Sequence, residues 1–153
     1  MMQTEDGPFF EKRVRLQVYT HFVTTGQAPT SRKVASALSC SHSEVQDAYR
    51  RLAAGKALVL QTSGEVLMAE PFSAVPTPFI VEIGAQRWWG NCIWDALGIA
   101  AMLGQDARVV TACGCCSEAM TLEVRDGILR RPYAGVIHFA IPARAWWTDV
   151  VFT

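Results

Sequence analysis

The sequence predicts an α+β protein built from two modules. Three observations predict it: helical apolar spacings fill the first third, an apolar pair around a glycine-containing turn follows, and a proline-marked connection then leads to short strand-like runs around one helix. Helix, helix, turn, helix, hairpin over about residues 1–75 is the order of a winged helix-turn-helix. Several short strands with one helix over about residues 76–153 make a small domain with a mixed or antiparallel sheet, against which the first module packs.

In chain order, Val14, Leu16, Val18, Phe22 and Val23 fit a helix from Glu11 to Thr24, ended by Gly26-Gln27-Ala28-Pro29. Thr30 or Ser31 is placed to cap a short helix carrying Val34, Ala35 and Leu38, because a hydroxyl accepts from the unpaired amides of a first turn. Ser39-Cys40-Ser41 is a tight connection to a helix from His42 to Ala54, where Val45, Ala48, Tyr49 and Leu52 form one apolar stripe before Gly55. Residues 57–60 and 66–69 flank Thr62-Ser63-Gly64-Glu65 as a hairpin. Pro71, Pro76 and Pro78 mark an extended crossover. Beyond it the sequence predicts a strand from Phe79 to Ile83, a tight turn at Trp88-Trp89-Gly90-Asn91 and a helix from Cys92 to Met102. Strands follow over Arg108–Ala112, Met120–Val124, Ile128–Leu129 and Val136–Ile141, with Asp126-Gly127 as a turn.

Composition narrows the function. Lys+Arg and Asp+Glu number 14 each, and a division at Pro76 leaves 8 against 7 and 6 against 7, so neither half carries the field that nucleic acid or an anionic membrane would demand. No apolar run approaches the ~20 residues of a membrane span, and the start, Met1 to Asp6, is acidic where a secretory signal is basic. Five cysteines, two of them adjacent, are a poor disulfide framework; the expectation is a cytoplasmic protein with buried, metal-seeking or nucleophilic thiols.

The stretch richest in chemistry is Trp88-Trp89-Gly90-Asn91-Cys92-Ile93-Trp94-Asp95-Ala96-Leu97-Gly98. With Asn91 as helix cap, Cys92 enters the first turn, where amides and the helix dipole favour a thiolate, and Asp95 shares its face. A soft nucleophile and a proton carrier then lie side by side. From spacing alone a buried small hydrophobe and a dipole-compensating acid explain the same two residues. Trp88, Trp89 and Trp94, with Trp146 and Trp147, are equally open to a core role or to lining an apolar pocket. In Cys113-Gly114-Cys115-Cys116 the C-x-x-C spacing lacks the second knuckle of a structural zinc site, and His21, His42 and His138 are scattered. Cys115 and Cys116 have no assigned role, a soft-metal holding site being the sharper alternative. Cys40 reads as packing.

Cys92-x-x-Asp95 after an aromatic and small-residue turn, then Arg108-Val109, Cys113, a Leu122–Val124 strand and a Pro142 segment, resembles the catalytic domain of organomercurial (alkylmercury) lyases from about Phe79 onward. The resemblance implies that Cys92 captures mercury and that Asp95 protonates the leaving carbon, both contacting the metal of substrate and product. It also implies no organic cofactor, external small thiols, a mercuric reductase downstream, a structural role for Cys113 and a winged-helix cap over the catalytic core. The family pattern uses a second catalytic cysteine after an aromatic-rich segment that Trp146–Thr153 resembles, and Thr153 ends the sequence about where it would stand. A longer chain, a substituting thiol, or binding without efficient cleavage each accommodate this.

Two other function classes are a mercury-responsive DNA-binding regulator and a non-catalytic organometal-binding protein. For the regulator, the outward face of the His42–Ala54 helix offers Arg50 and Arg51 offset by Glu44 and Asp47, thin phosphate neutralisation for a groove reader. DNA binding is therefore the less favoured expectation.

Overall fold

The computed structural model describes residues 7–130 and 135–150; the acidic start Met1–Asp6 and the Val151-Phe152-Thr153 end of the aromatic-rich segment lie outside them. Helix α1 (Gly7–Thr25) buries Val14, Val18 and Phe22, spaced by four and therefore on one stripe. Helix α2 (Ser31–Leu38) is capped by Thr30, and α3 (His42–Ala54) by Ser41 in a reciprocal capping box with Glu44. The predicted Val45, Ala48, Tyr49 and Leu52 stripe is the buried face of α3.

Strands β1 (Val59–Leu60) and β2 (Val66–Ala69) form the predicted hairpin. Its turn is tied to the helices through buried Ser31. The Glu65 carboxylate accepts from the Ser31 amide at 2.7 Å and from its hydroxyl at 2.5 Å, while Ser31 Oγ lies 2.7 Å from His42 Nε2. One polar cluster thus fixes the start of α2, the start of α3 and the hairpin, and each buried polar atom in it finds a partner.

The second half departs from the sequence expectation in three places. The proline-marked crossover contains a short strand, β3 (Phe72–Ser73). The expected turn at Trp88–Asn91 is instead the end of β5 (Gln86–Gly90), which pairs with β4 (Ile80–Ile83) around a turn at Gly84, φ 58°. Val136–Ile141 is not a strand: Val136 is 92% exposed, and the segment leads through Pro142 into a 3-10 helix (Ala143–Thr148). Between these lie α4 (Ile93–Leu103), β6 (Ala107–Ala112), β7 (Ala119–Arg125) and β8 (Ile128–Arg130), close to expectation.

The eight strands among the described residues join one antiparallel sheet in the order β1-β2-β3-β5-β4-β6-β7-β8, running unbroken through the expected module boundary at residues 75 and 76. The core is likewise continuous. Phe22 stacks on Phe72 with centroids 5.1 Å apart, and Ala96, Ile99 and Ala100 of α4 join Val81 and Val109 of the sheet. Strand β5 also ties down the end of α1, where the Phe22 carbonyl already accepts from the Gly26 amide at 2.8 Å. Trp88 Nε1 donates to the Phe22 carbonyl at 2.7 Å and Gln86 Nε2 to the Thr24 carbonyl at 2.7 Å. No helix among the described residues is long and apolar enough to cross a membrane.

Trp88 is only 3% exposed, so of the two openings left by the sequence it takes the core role. Trp88→Phe keeps most of the ring but removes the N–H that α1 uses. A loss of about 1 kcal/mol is expected in urea unfolding. Unchanged stability would contradict the core role.

Candidate functional site

Strand β5 runs almost directly into α4. A Cβ on Gly90 would lie 2.7 Å from the Ala96 amide nitrogen, so only glycine admits this approach of strand to helix. The short connection that results is Asn91-Cys92. Cys92 itself is the N-cap, one position earlier than the first-turn place expected for it, with its sulfur accepting from the Asp95 amide at 3.5 Å. Asn91, expected to be the cap, instead donates from Nδ2 to Asp95 Oδ2 at 2.9 Å. The structure therefore brings Cys92 and Asp95 together, and holds the carboxylate from behind.

A second acid stands beside them that the sequence did not single out. The pairing of Phe72 with Gly90 carries the turn before β3 to the start of α4, and with it Glu70, whose carbonyl accepts from the Tyr19 hydroxyl at 2.7 Å. Glu70 has no motif around it; only the strand register places it.

Burial governs the electrostatics of the group. The Cys92 thiol is pushed up from its ordinary range chiefly by desolvation, with the negative charges of Asp95 and Glu70 adding to it. The amides of Asp95 and Trp94 pull the other way, as expected at a helix start, but burial outweighs them. The thiolate favoured by the sequence reading is thus opposed by its own pocket. Asp95 is also raised by burial, against the hydrogen bonds from Asn91, and Glu70 is raised by burial and then by Asp95. A proton is easily kept in such a cluster.

Of the remaining tryptophans, Trp89 is half-buried on β5 and Trp94 is 59% exposed on the first turn of α4. Trp94 meets Phe139 edge-on at 6.3 Å, and Phe139 meets Trp146 at 5.1 Å, so an aromatic wall from the C-terminal segment stands against the helix start. Trp147 lies apart from it, with Lys56 Nζ 5.6 Å from its ring centroid.

The second cysteine group occupies the turn between β6 and β7. The Cys113, Cys115 and Cys116 sulfurs all lie within 4.8 Å of one another, and Cys113 Sγ is 3.2 Å from Cys115 Sγ. Cys113 is half-buried and the other two are exposed. Amide and thiol donors of Cys115 and Cys116 hold the Cys113 thiol down to about 7, while Cys115 is raised by the neighbouring Cys113. Cys113, for which the resemblance implies a structural role, therefore sits in a half-buried thiol cluster and is not among the buried core residues.

A family model described as alkylmercury lyase matches residues 72–153. Among solved structures, one described as the mercury-bound form of MerB2 superposes with a TM-score of 0.62 at 21% identity, over 84% of this chain and 67% of that one. At that identity the likeness carries the fold. No curated protein matches.

The raised Cys92 thiol has a direct consequence in solution. Alkylation of Cys92, followed on its own peptide by mass spectrometry, is expected to have a pH midpoint above that of an ordinary cysteine. Asp95→Asn removes one of the charges that raise it and is expected to lower that midpoint. A wild-type midpoint below the ordinary value would contradict the burial account.

Proposed function

Because the chain belongs to the alkylmercury lyase family, whose model matches more than half of its length, we propose that it cleaves carbon–mercury bonds by protonolysis, with Cys92 as nucleophile and Asp95 as proton carrier. The observation that carries this reading is the pairing of a cap-position thiol with a half-buried, raised carboxyl group on one helix turn. Mercury in R–Hg–X is soft and prefers thiolate to oxygen or nitrogen ligands. Cys92 sulfur bonds mercury as X⁻ departs, and its proton passes to the Asp95 carboxylate. Asp95 then delivers that proton to the carbon bound to mercury. The C–Hg electron pair becomes the new C–H bond, R–H leaves, and mercury(II) stays on Cys92 sulfur.

Each environmental shift supports this sequence. A carboxyl raised by burial holds the proton long enough to pass it on, and a raised thiol gives its proton up only as the metal takes its place. Asn91 orients Asp95. The organic group rests against the aromatic wall of Trp94, Phe139 and Trp146, and half-buried Trp89 on β5 lies three residues before the thiol. Small thiols in solution lift mercury off Cys92, and no organic cofactor takes part.

Residues 1–75 serve as a winged-helix-like cap on the 76–153 catalytic part. A DNA-reading role is less well supported, because Arg50 is paired with Asp47 and Arg51 with Glu11 at 2.5 Å, which neutralises the cations of α3.

The test uses purified, reduced protein, phenylmercury and excess small thiol, with benzene followed by gas chromatography and mercury binding by calorimetry. Cys92→Ser is expected to abolish benzene formation and to lower the mercurial bound by one equivalent per chain. Asp95→Ala is expected to keep the wild-type binding stoichiometry while benzene formation falls about 10²- to 10⁴-fold. An undiminished stoichiometry or retained turnover in the first variant, or retained turnover in the second, would remove the assigned role.

A further inference from the structure

The β6–β7 turn holds three thiols that the lyase reaction does not use. The sheet register sets them at the same end of the molecule as Cys92. Trp89 pairs with Ile80 and Ile80 with Val110, so β5, β4 and β6 form one lateral row. Cys92 lies three residues beyond Trp89 and Cys113 three beyond Val110, with both strands running toward that end. Two inter-strand steps of ~4.8 Å put the strand ends ~10 Å apart. The cleft at the opposite end, lined by Glu82, Asp106, Arg108 and Arg125, contains no thiol.

The turn itself is well fixed. The Cys113 amide donates to the Glu118 carbonyl at 2.8 Å, the Ser117 amide to the Cys113 carbonyl at 2.9 Å, and the six-pair β6–β7 ladder supports both ends. A metal–sulfur bond of ~2.3 Å requires sulfurs roughly 4 Å apart around a shared ion. The three sulfurs lie mutually within 4.8 Å, so a shared ion needs only the 3.2 Å Cys113–Cys115 pair to open slightly. They are the one group of three or more His, Cys, Asp or Glu ligand atoms this close among the described residues. Three sulfurs suit a thiophilic ion content with two or three ligands better than zinc, whose structural sites want four.

We propose that Cys113, Cys115 and Cys116 form a second, chelating thiolate site for mercuric ion, adjacent to the Cys92 site and separate from it. Binding replaces up to three S–H bonds by S–Hg bonds and releases the protons, with no change in oxidation state. Transfer from Cys92 or from a small thiol is exchange of one thiolate for another: as a turn sulfur bonds mercury, the departing sulfur takes up a proton. The choice of mercuric ion as natural occupant rests on the lyase reading, whereas the chelate itself rests on the geometry of the turn.

Mercuric chloride alone is the probe, so no cleavage step is required and failure of the lyase reading shows up separately in the benzene assay. Full-length reduced protein is loaded in excess glutathione and desalted, and retained mercury is measured by inductively coupled plasma and native mass spectrometry. Cys92→Ser is expected to retain one mercuric ion per chain against the monothiol. Adding Cys115→Ser and Cys116→Ser, both exposed on a surface turn, is expected to lower retention at least tenfold at unchanged far-UV circular dichroism. Should the triple variant unfold, folded Cys92→Ser protein whose exposed turn thiols have been alkylated supplies the same comparison with no further substitution. Retention lost in Cys92→Ser alone, or unchanged when the turn cysteines are replaced, would overturn the proposal.

Discussion

The contact on which the site depends is the approach of β5 to the first turn of α4 at Gly90. Its amide donates to the Phe79 carbonyl at 2.9 Å and its carbonyl accepts from the Thr77 hydroxyl at 2.6 Å, so the strand end is held from both sides. With no side chain between strand and helix, only Asn91 and Cys92 separate them, and the cap position falls on cysteine. A longer connection would have let a serine or asparagine cap the helix and turned the thiol elsewhere. The same register draws Phe72, and hence Glu70, to the helix start. Site and fold are therefore one construction, and the continuity of the sheet from the N-terminal hairpin to β8 follows from it.

That construction also explains the direction of the electrostatics. Packing a strand end against a helix start removes water from the cap, and the loss of hydration acts on thiol and carboxyl alike. Helix amides are often invoked to make a reactive thiolate, yet here two of them are outweighed by burial and two neighbouring acids. For a soft-metal electrophile this is no handicap. The metal displaces the thiol proton, and a nearby carboxyl raised by the same burial is the natural place for it. The exposed turn of Cys113, Cys115 and Cys116 is the opposite case, where local donors dominate and burial counts for little.

Much of this was legible in the sequence because it rests on local signals. The apolar stripe of α3, the first hairpin and the Cys92–Asp95 spacing are fixed by residues within a few positions of one another. Long-range pairing was not legible. The β3 strand, only two residues long inside a proline-marked stretch, exists because β2 and β5 flank it. Trp88-Trp89-Gly90 looked like a turn because Gly-Asn follows a bulky pair, but Gly90 was selected for closeness to Ala96 and not for a bend. Val136–Ile141 has the composition of a strand without a neighbour to pair with among the described residues. Glu70 and the convergence of the three turn sulfurs are likewise products of register.

In the proposed reaction the carbon leaves as a carbanion equivalent and takes a solvent-exchangeable proton through Asp95. This step is tested most directly by a single turnover of phenylmercury in D₂O, with the isotopic composition of the benzene read by mass spectrometry. The account predicts benzene carrying one deuterium, formed by the wild type and not by Asp95→Ala. Unlabelled benzene, or biphenyl from homolysis of the C–Hg bond, would contradict it.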